Sequence, residues 1–280
     1  MKKRNYIYLG ILIFCIIAIG VGVYAQMFYP NSENDALMMG YQDKTAIQQN
    51  EAEDDAKNHF TTMFTNSLEY TNQNVANKAT RKDASKELVY TSNQYVKDEK
   101  DQYELNVNIP CINIASDNAN QINNQIEQVF VTKLSQIVSA KELDYTVYNV
   151  DYAAFVNGNV ISLAVRSTLK EGNNPQRVIM MTYNYNTDDG SIVTLDQLLN
   201  AKQLNKATVQ AKINKEIKEK SKNSSDLTNI GYSVYIRDPN NTMYQIDNTT
   251  TYFLANNGYI YIVYPYGNTN NTSEYDIILC

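Results

Sequence analysis

Tryptophan is absent from this chain, histidine occurs once and cysteine three times in 280 residues. Each shortage closes a route to chemistry. A lone histidine, His59, excludes paired-histidine zinc motifs such as H-E-x-x-H, and its place beside an apolar helical stripe reads as a surface residue rather than a ligand. Cys15 falls within an apolar run, so only Cys111 and Cys280 remain, too few for a disulfide framework. One bridge between them stays open; two separate thiols, one in a strand and one at the terminus, is the simpler reading. There is no G-x-S-x-G elbow and no phosphate-cradling glycine-rich loop. A Cys111–His59 pair would need the N-terminal segment to fold onto the first strand. No catalytic residue, metal or cofactor is expected, and hence no enzyme.

Charge is missing altogether from Tyr6 to Ala25, YIYLGILIFCIIAIGVGVYA, a run of about the 20 residues that cross a bilayer. Lys2, Lys3 and Arg4 precede it, which places the N-terminus in the cytoplasm and the rest outside. Val23 and Ala25 have the small-residue spacing of a signal-peptidase site. The run exceeds a signal peptide's apolar region of about 7–15 residues, which favours an uncleaved, single-pass anchor in the cell membrane; cleavage would make the protein secreted. Removing residues 1–25 takes away three of the 24 basic residues and none of the 30 acidic ones, leaving a formal charge of −9. That balance argues against nucleic acid and anionic lipid, and suits a cationic partner or plain solubility.

Residues 26–86 are polar and read as an extracellular stalk. Within about residues 50–72, Ala56, Phe60, Met63, Phe64 and Leu68 recur at helical spacing, an apolar stripe for a helix that docks on the domain or pairs with a second copy. The folded domain is expected over residues 87–280, with a first strand at Tyr103–Ile109. A helix follows Ser116 and Asp117, with Ile122, Ile126, Val129, Phe130, Leu134 and Ile137 on one side. Antiparallel strands Asp144–Phe155, Val160–Leu169 and Arg177–Tyr185 come next, the first two joined at Asn157-Gly158 by a turn with both central residues at positive φ. A second helix, Leu204–Lys220, turns Val209, Ile213 and Ile217 inward and carries lysines interleaved with Glu216 and Glu219, a solvated face. Strands Tyr232–Arg237, Thr251–Leu254, Tyr259–Tyr264 and Tyr275–Leu279 close the chain. The predicted class is α+β: a mainly antiparallel sheet packed against two helices.

One acidic stretch, TYNYNTDDGSIVTLDQLL, invites a catalytic or metal reading through Asp188, Asp189 and Asp196. Asp188-Asp189-Gly190 is also a turn, and Thr194-Leu195-Asp196-Gln197 a capping box. Acid–base or metal carboxylates must converge on one point, and a turn followed by a cap explains all three without that.

Tyrosine is abundant, at 23 residues. Most suit cross-strand packing, but Tyr264 and Tyr266 flank Pro265 at the mouth of the Asn-rich stretch YIVYPYGNTNNTSEY. Tyrosine offers contact area with a polar tip, and Tyr264, Pro265, Tyr266, Gly267, Asn268 and Asn270 are the candidate ligand-binding residues.

Taken in order, YELNVNIPCINI, NQINNQIEQVF, YNYNTDDGSIVTLDQLL, INKEIKEK and YFLANNGYIYIVYPYG resemble the extracellular domain of RsiV-type anti-sigma factors, a module similar to the N-terminal region of PdaC-type peptidoglycan deacetylases. The resemblance covers about residues 87–280. It implies an α+β domain outside a Gram-positive membrane that binds lysozyme, its loops entering the glycan cleft, with binding exposing a cleavage site near the membrane; Val23-Tyr24-Ala25 is the matching stretch. Three departures bear on this. Five residues precede the apolar run, so a sigma factor is not expected as partner; the deacetylase domain with its Asp and His ligands is missing; and the Pro-Tyr motif continues as Gly267-Asn268-Thr269-Asn270 where the family has Glu-Ile-Ala. The expectation is a membrane-anchored, non-catalytic module that recognises a cell-wall glycan such as peptidoglycan, or a wall-degrading enzyme such as lysozyme. The alternatives are a wall hydrolase with a carboxylate pair, and a surface protein dimerising through its stalk.

Overall fold

The computed structural model describes residues 44–71, 79–140, 144–268 and 271–280. The expected anchor at residues 6–25, with Val23 and Ala25, lies outside them; among the described residues no helix is long and apolar enough to cross a membrane. The chain divides into two compact units, residues 1–55 and 56–280. Of the first, only helical residues of α1 (Lys44–His59) are described. The second unit holds the rest of the fold.

Residues 56–71, read from sequence as part of a stalk, belong to this unit. The stripe predicted as one helix is helical only to His59; a turn follows, and β1 (Ser67–Tyr70) joins the main sheet. Asn66, at φ 59°, makes the switch: its backbone N–H and side-chain Oδ1 bond the Tyr152 peptide (both 2.9 Å), and its Nδ2 donates to Asp151 Oδ1 at 3.1 Å. Ala56, Phe60, Met63 and Phe64 are buried within the unit, so these residues of the stripe dock on the domain.

The main sheet runs β2 (Val89–Glu99), β3 (Tyr103–Ile112), β4 (Thr146–Asn157), β5 (Val160–Glu171), β6 (Arg177–Asn186), with β1 beside the far half of β4. The sheet is mainly antiparallel, as expected, but β3 and β1 both lie parallel to β4. A parallel pair needs a crossover of a dozen or more residues; the helical stretch between β3 and β4 supplies it. That stretch is α2 (Asp117–Ile126), an i→i+5 turn (Glu127–Val131) and α3 (Thr132–Ser139). Ser116 caps it by accepting from Ala119 N at 3.1 Å. The buried positions Ile122, Ile126 and Phe130 step by four, which drifts forward around a 3.6-residue helix; the wider turn rotates less per residue and takes the drift back before Ile137.

The turn between β4 and β5 differs from its prediction in two respects. Asn157 pairs with Val160, so the central residues are Gly158 and Asn159, and only Gly158 has positive φ (61°). That is the II′ pattern, with glycine at the first central position.

The second sheet is β7 (Tyr252–Leu254), β8 (Ile260–Asn268) and β9 (Asn271–Leu279). Alternation along β8 divides its side chains. Ile260, Ile262 and Tyr264 pack with α4 (Leu195–Ala201) and α5 (Lys206–Asn229), whose Val209, Ile213 and Ile217 point inward as expected. Tyr261 and Val263 face Ala153, Phe155 and Ala164 of the main sheet, together with Phe60 and Phe64. The opposite face of the main sheet covers α2 and α3. Helix α5 outruns its predicted end at Lys220; Ser224, Ser225 and Thr228 donate back to carbonyls four residues earlier and are absorbed into the helix.

Candidate functional site

The three aspartates of the acidic stretch are held one by one. Asp188 Oδ2 accepts from Asn159 Nδ2 at 3.0 Å, Asp189 Oδ1 accepts from the N–H and hydroxyl of Ser191, and Asp196 pairs with Lys206 at 2.9 Å. The Ser191 hydroxyl, then its N–H, pull the Asp189 carboxyl below its usual range. Thr194 and Gln197 form the predicted capping box. Among the described residues no group of three His, Cys, Asp or Glu is placed to hold a metal ion. No disulfide joins Cys111 and Cys280.

The stretch after Tyr264 is predicted as an open loop, but β8 runs on to Asn268 and β9 starts at Asn271, with Pro265 opposite Tyr275 and Tyr266 opposite Glu274. Proline is tolerated here because β7 pairs with β8 only as far as Ile262, so no ladder calls on the missing N–H. Gly267, at φ 128°, sits at the register shift between Tyr266 and Asn268. Asn270 lies outside the described residues.

The hairpin residues part company. Tyr264 is 3% exposed, its hydroxyl 2.8 Å from Thr249 Oγ1 and its ring edge-on to Tyr244 at 5.2 Å. Pro265 is exposed and, with Tyr275, borders an apolar cavity of about 210 Å³ beside Val178, Ile179 and Met180. Tyr266 is half-buried under the guanidinium of Arg237, 3.6 Å from its ring centroid, and stacks with Tyr235 at 6.1 Å.

Arg237 is itself anchored. It grips Asp276 of β9 with two hydrogen bonds (3.1 and 3.0 Å) and donates to Ser224 Oγ at 2.6 Å and Tyr235 O at 3.3 Å. Lys220 approaches the same carboxylate at 3.2 Å. This explains why Tyr232–Arg237, expected as a strand, is irregular: its hydrogen bonds go to α5 and β9 side chains, including Ser221 Oγ to Arg237 O at 2.7 Å. The same segment leaves Tyr232 and Ile236 exposed beside Tyr235.

A second cavity, of about 460 Å³, lies between α5 and residues 239–247 and includes Gln210, Asn214, Asn240, Tyr244, Gln245 and Asp247 in its lining.

No family model and no curated protein matches the chain. Among solved structures it is similar to a DUF3298 family protein from Pseudomonas aeruginosa PAO1, with 10% sequence identity and a TM-score of 0.36, over 64% of this chain and 82% of that one.

Burial pushes the phenols of Tyr244 and Tyr264 up to about 12, and that of Tyr183 equally. The unfolded chain releases these protons near pH 10, so the folded state retains them where the unfolded state does not. Stability is therefore expected to be intact below about pH 10 and to be lost as pH rises toward about 12. Thermal melting followed across this range, together with phenolate absorbance, checks it; a melting temperature that stays flat through about pH 11 contradicts it.

Sequence reasoning singles out Tyr266 but misses Arg237, Tyr235 and Asp276. A usable signal exists: an acid between the apolar residues of YDIIL must find a cation when its strand is buried.

Proposed function

We propose that this chain is a non-catalytic binding module, anchored outside the cell membrane by residues 6–25, that recognises a cell-wall glycan at the tip side of the β8–β9 hairpin. The observation that carries this is the fixed aromatic surface of Tyr266, Tyr235 and Arg237. Two aromatic rings with polar tips, locked by a guanidinium that is itself locked, present a platform with little freedom left to lose on binding. Tyr232 and Ile236 of the same segment are exposed as well. The resemblance to RsiV-type and PdaC-type extracellular domains supports a wall-facing role.

A second reading, recognition of lysozyme, is favoured by the formal charge of −9 on residues 26–280, which suits a basic partner. Calorimetric titration of the full chain in neutral detergent with soluble glycan fragments, and with lysozyme at low and moderate salt, separates the two. Tyr266→Ala is expected to weaken binding of the true ligand by about tenfold or more while costing the fold no more than about 1 kcal/mol. Lysozyme binding that moderate salt abolishes reduces the second reading to charge attraction. No saturable binding of either ligand ends both readings.

A further inference from the structure

The walls of the 460 Å³ cavity differ in what they have left to bond. Gln210 is fully engaged: Nε2 donates to Asn214 Oδ1 (2.8 Å) and Tyr244 O (3.0 Å), and Oε1 accepts from Ile246 N (2.7 Å). That engagement ties the loop to α5 and fixes the frame of the cavity. It also occupies the oxygen of Asn214, leaving the Nδ2 donors of that amide unused among the described residues. The side-chain amides of Asn240 and Gln245 form no hydrogen bond among the described residues either, and both are solvent-exposed. The lining carboxylate, Asp247, is paired with Lys206, which holds Asp196 as well. Tyr244, backed by Tyr264, gives the wall an aromatic component.

An amide donates and accepts at once, as does a hydroxyl or an acetamido group, whereas an anion needs donors alone and a cation acceptors alone. The cavity volume falls within the range of about 300–1,000 Å³ typical of small-molecule sites. We propose that this cavity binds a short neutral saccharide through Asn214, Asn240 and Gln245. It shares no lining residue with the Tyr266 platform; only the choice of an amino-sugar probe rests on the wall-glycan reading.

The test is calorimetry on the full chain, in a neutral detergent free of sugar headgroups, with an N-acetylglucosamine tetramer and a glucose tetramer as probes. Saturable binding of at least one is expected, weakened about tenfold or more in the Asn240→Ala/Gln245→Ala double variant. The melting temperature should stay unchanged, because neither side chain supports the fold. Tyr266→Ala should leave this affinity within about twofold. Absence of saturable binding to both probes overturns the inference, as does full affinity in the double variant. Loss of binding in Tyr266→Ala alone places the sugar on the hairpin, which sinks the cavity site and leaves the platform standing.

Discussion

Replacing Phe60 with alanine is expected to lower the stability of the 56–280 unit by about 3–5 kcal/mol, the range for emptying a buried aromatic site. Phe60 is 0% exposed. Its ring meets Tyr275 at 5.1 Å, Phe64 at 5.5 Å, Tyr261 at 5.9 Å and Phe253 at 6.3 Å. These contacts join the N-terminal segment to all three strands of the second sheet, so the void would open where that segment and the sheet depend on each other. The Tyr261 hydroxyl, which donates to Ala56 O at 3.1 Å, would be loosened with it. Urea unfolding gives the magnitude, and limited proteolysis should show faster cleavage within residues 56–66. Phe60→Leu, which keeps much of the volume, should cost markedly less. An alanine variant within about 1 kcal/mol of the parent would mean that this aromatic cluster does not hold the segment in solution.

Why the segment reads as a stalk from sequence alone is a matter of range. Its apolar spacing is visible, and Ala56, Phe60, Met63 and Phe64 are the residues that become buried. What spacing cannot carry is a distant partner: Asn66 completing the peptide of Tyr152, 86 positions on, or Arg166 resting 4.1 Å over the Phe64 ring. Elements specified by near neighbours are legible by contrast. The Thr194–Gln197 capping box, the Ser116 cap and the inward face of α5 each depend on residues within about two turns. The parallel β3–β4 pair is not legible for the same reason, since a strand's own pattern does not record which neighbour it takes or in which direction.

The candidate sites divide similarly. Pro265 and Tyr266 stand out because aromatic residues around a proline in an Asn-rich stretch are locally unusual. Tyr264 draws the same attention, but it lies on the β8 face that packs against α5, so its phenol is spent on Thr249. The amide-lined cavity leaves no local trace: Asn240 and Gln245 belong to a stretch of turn-forming residues, and Asn214 sits on a helix face that reads as solvated. Only the docking of residues 239–247 on Gln210 brings them together.

Asp276→Ala is the other substitution with a large expected cost, again about 3–5 kcal/mol, because it removes one partner of a buried ion pair and leaves the other charged. Asp276 is 1% exposed, and the Arg237 side chain 11%. Arg237 cannot shed its proton to escape: although burial works against its charge, Asp276 holds the guanidinium above its already high range. Without the carboxylate it must either stay buried unpaired or swing out, and swinging out abandons Ser224, the Tyr235 carbonyl and the Tyr266 ring together. Replacing Arg237 with Met in the same chain should recover part of the loss, since the uncompensated charge is then gone. A double variant no more stable than Asp276→Ala would assign the cost to lost packing instead of to the orphaned cation. The two variants also separate stability from recognition. Arg237→Met with Asp276→Ala regains stability but leaves Tyr266 and Tyr235 without the guanidinium that orders them. If the platform binds because it is fixed in advance, ligand affinity should stay low in the recovered protein even as its melting temperature rises.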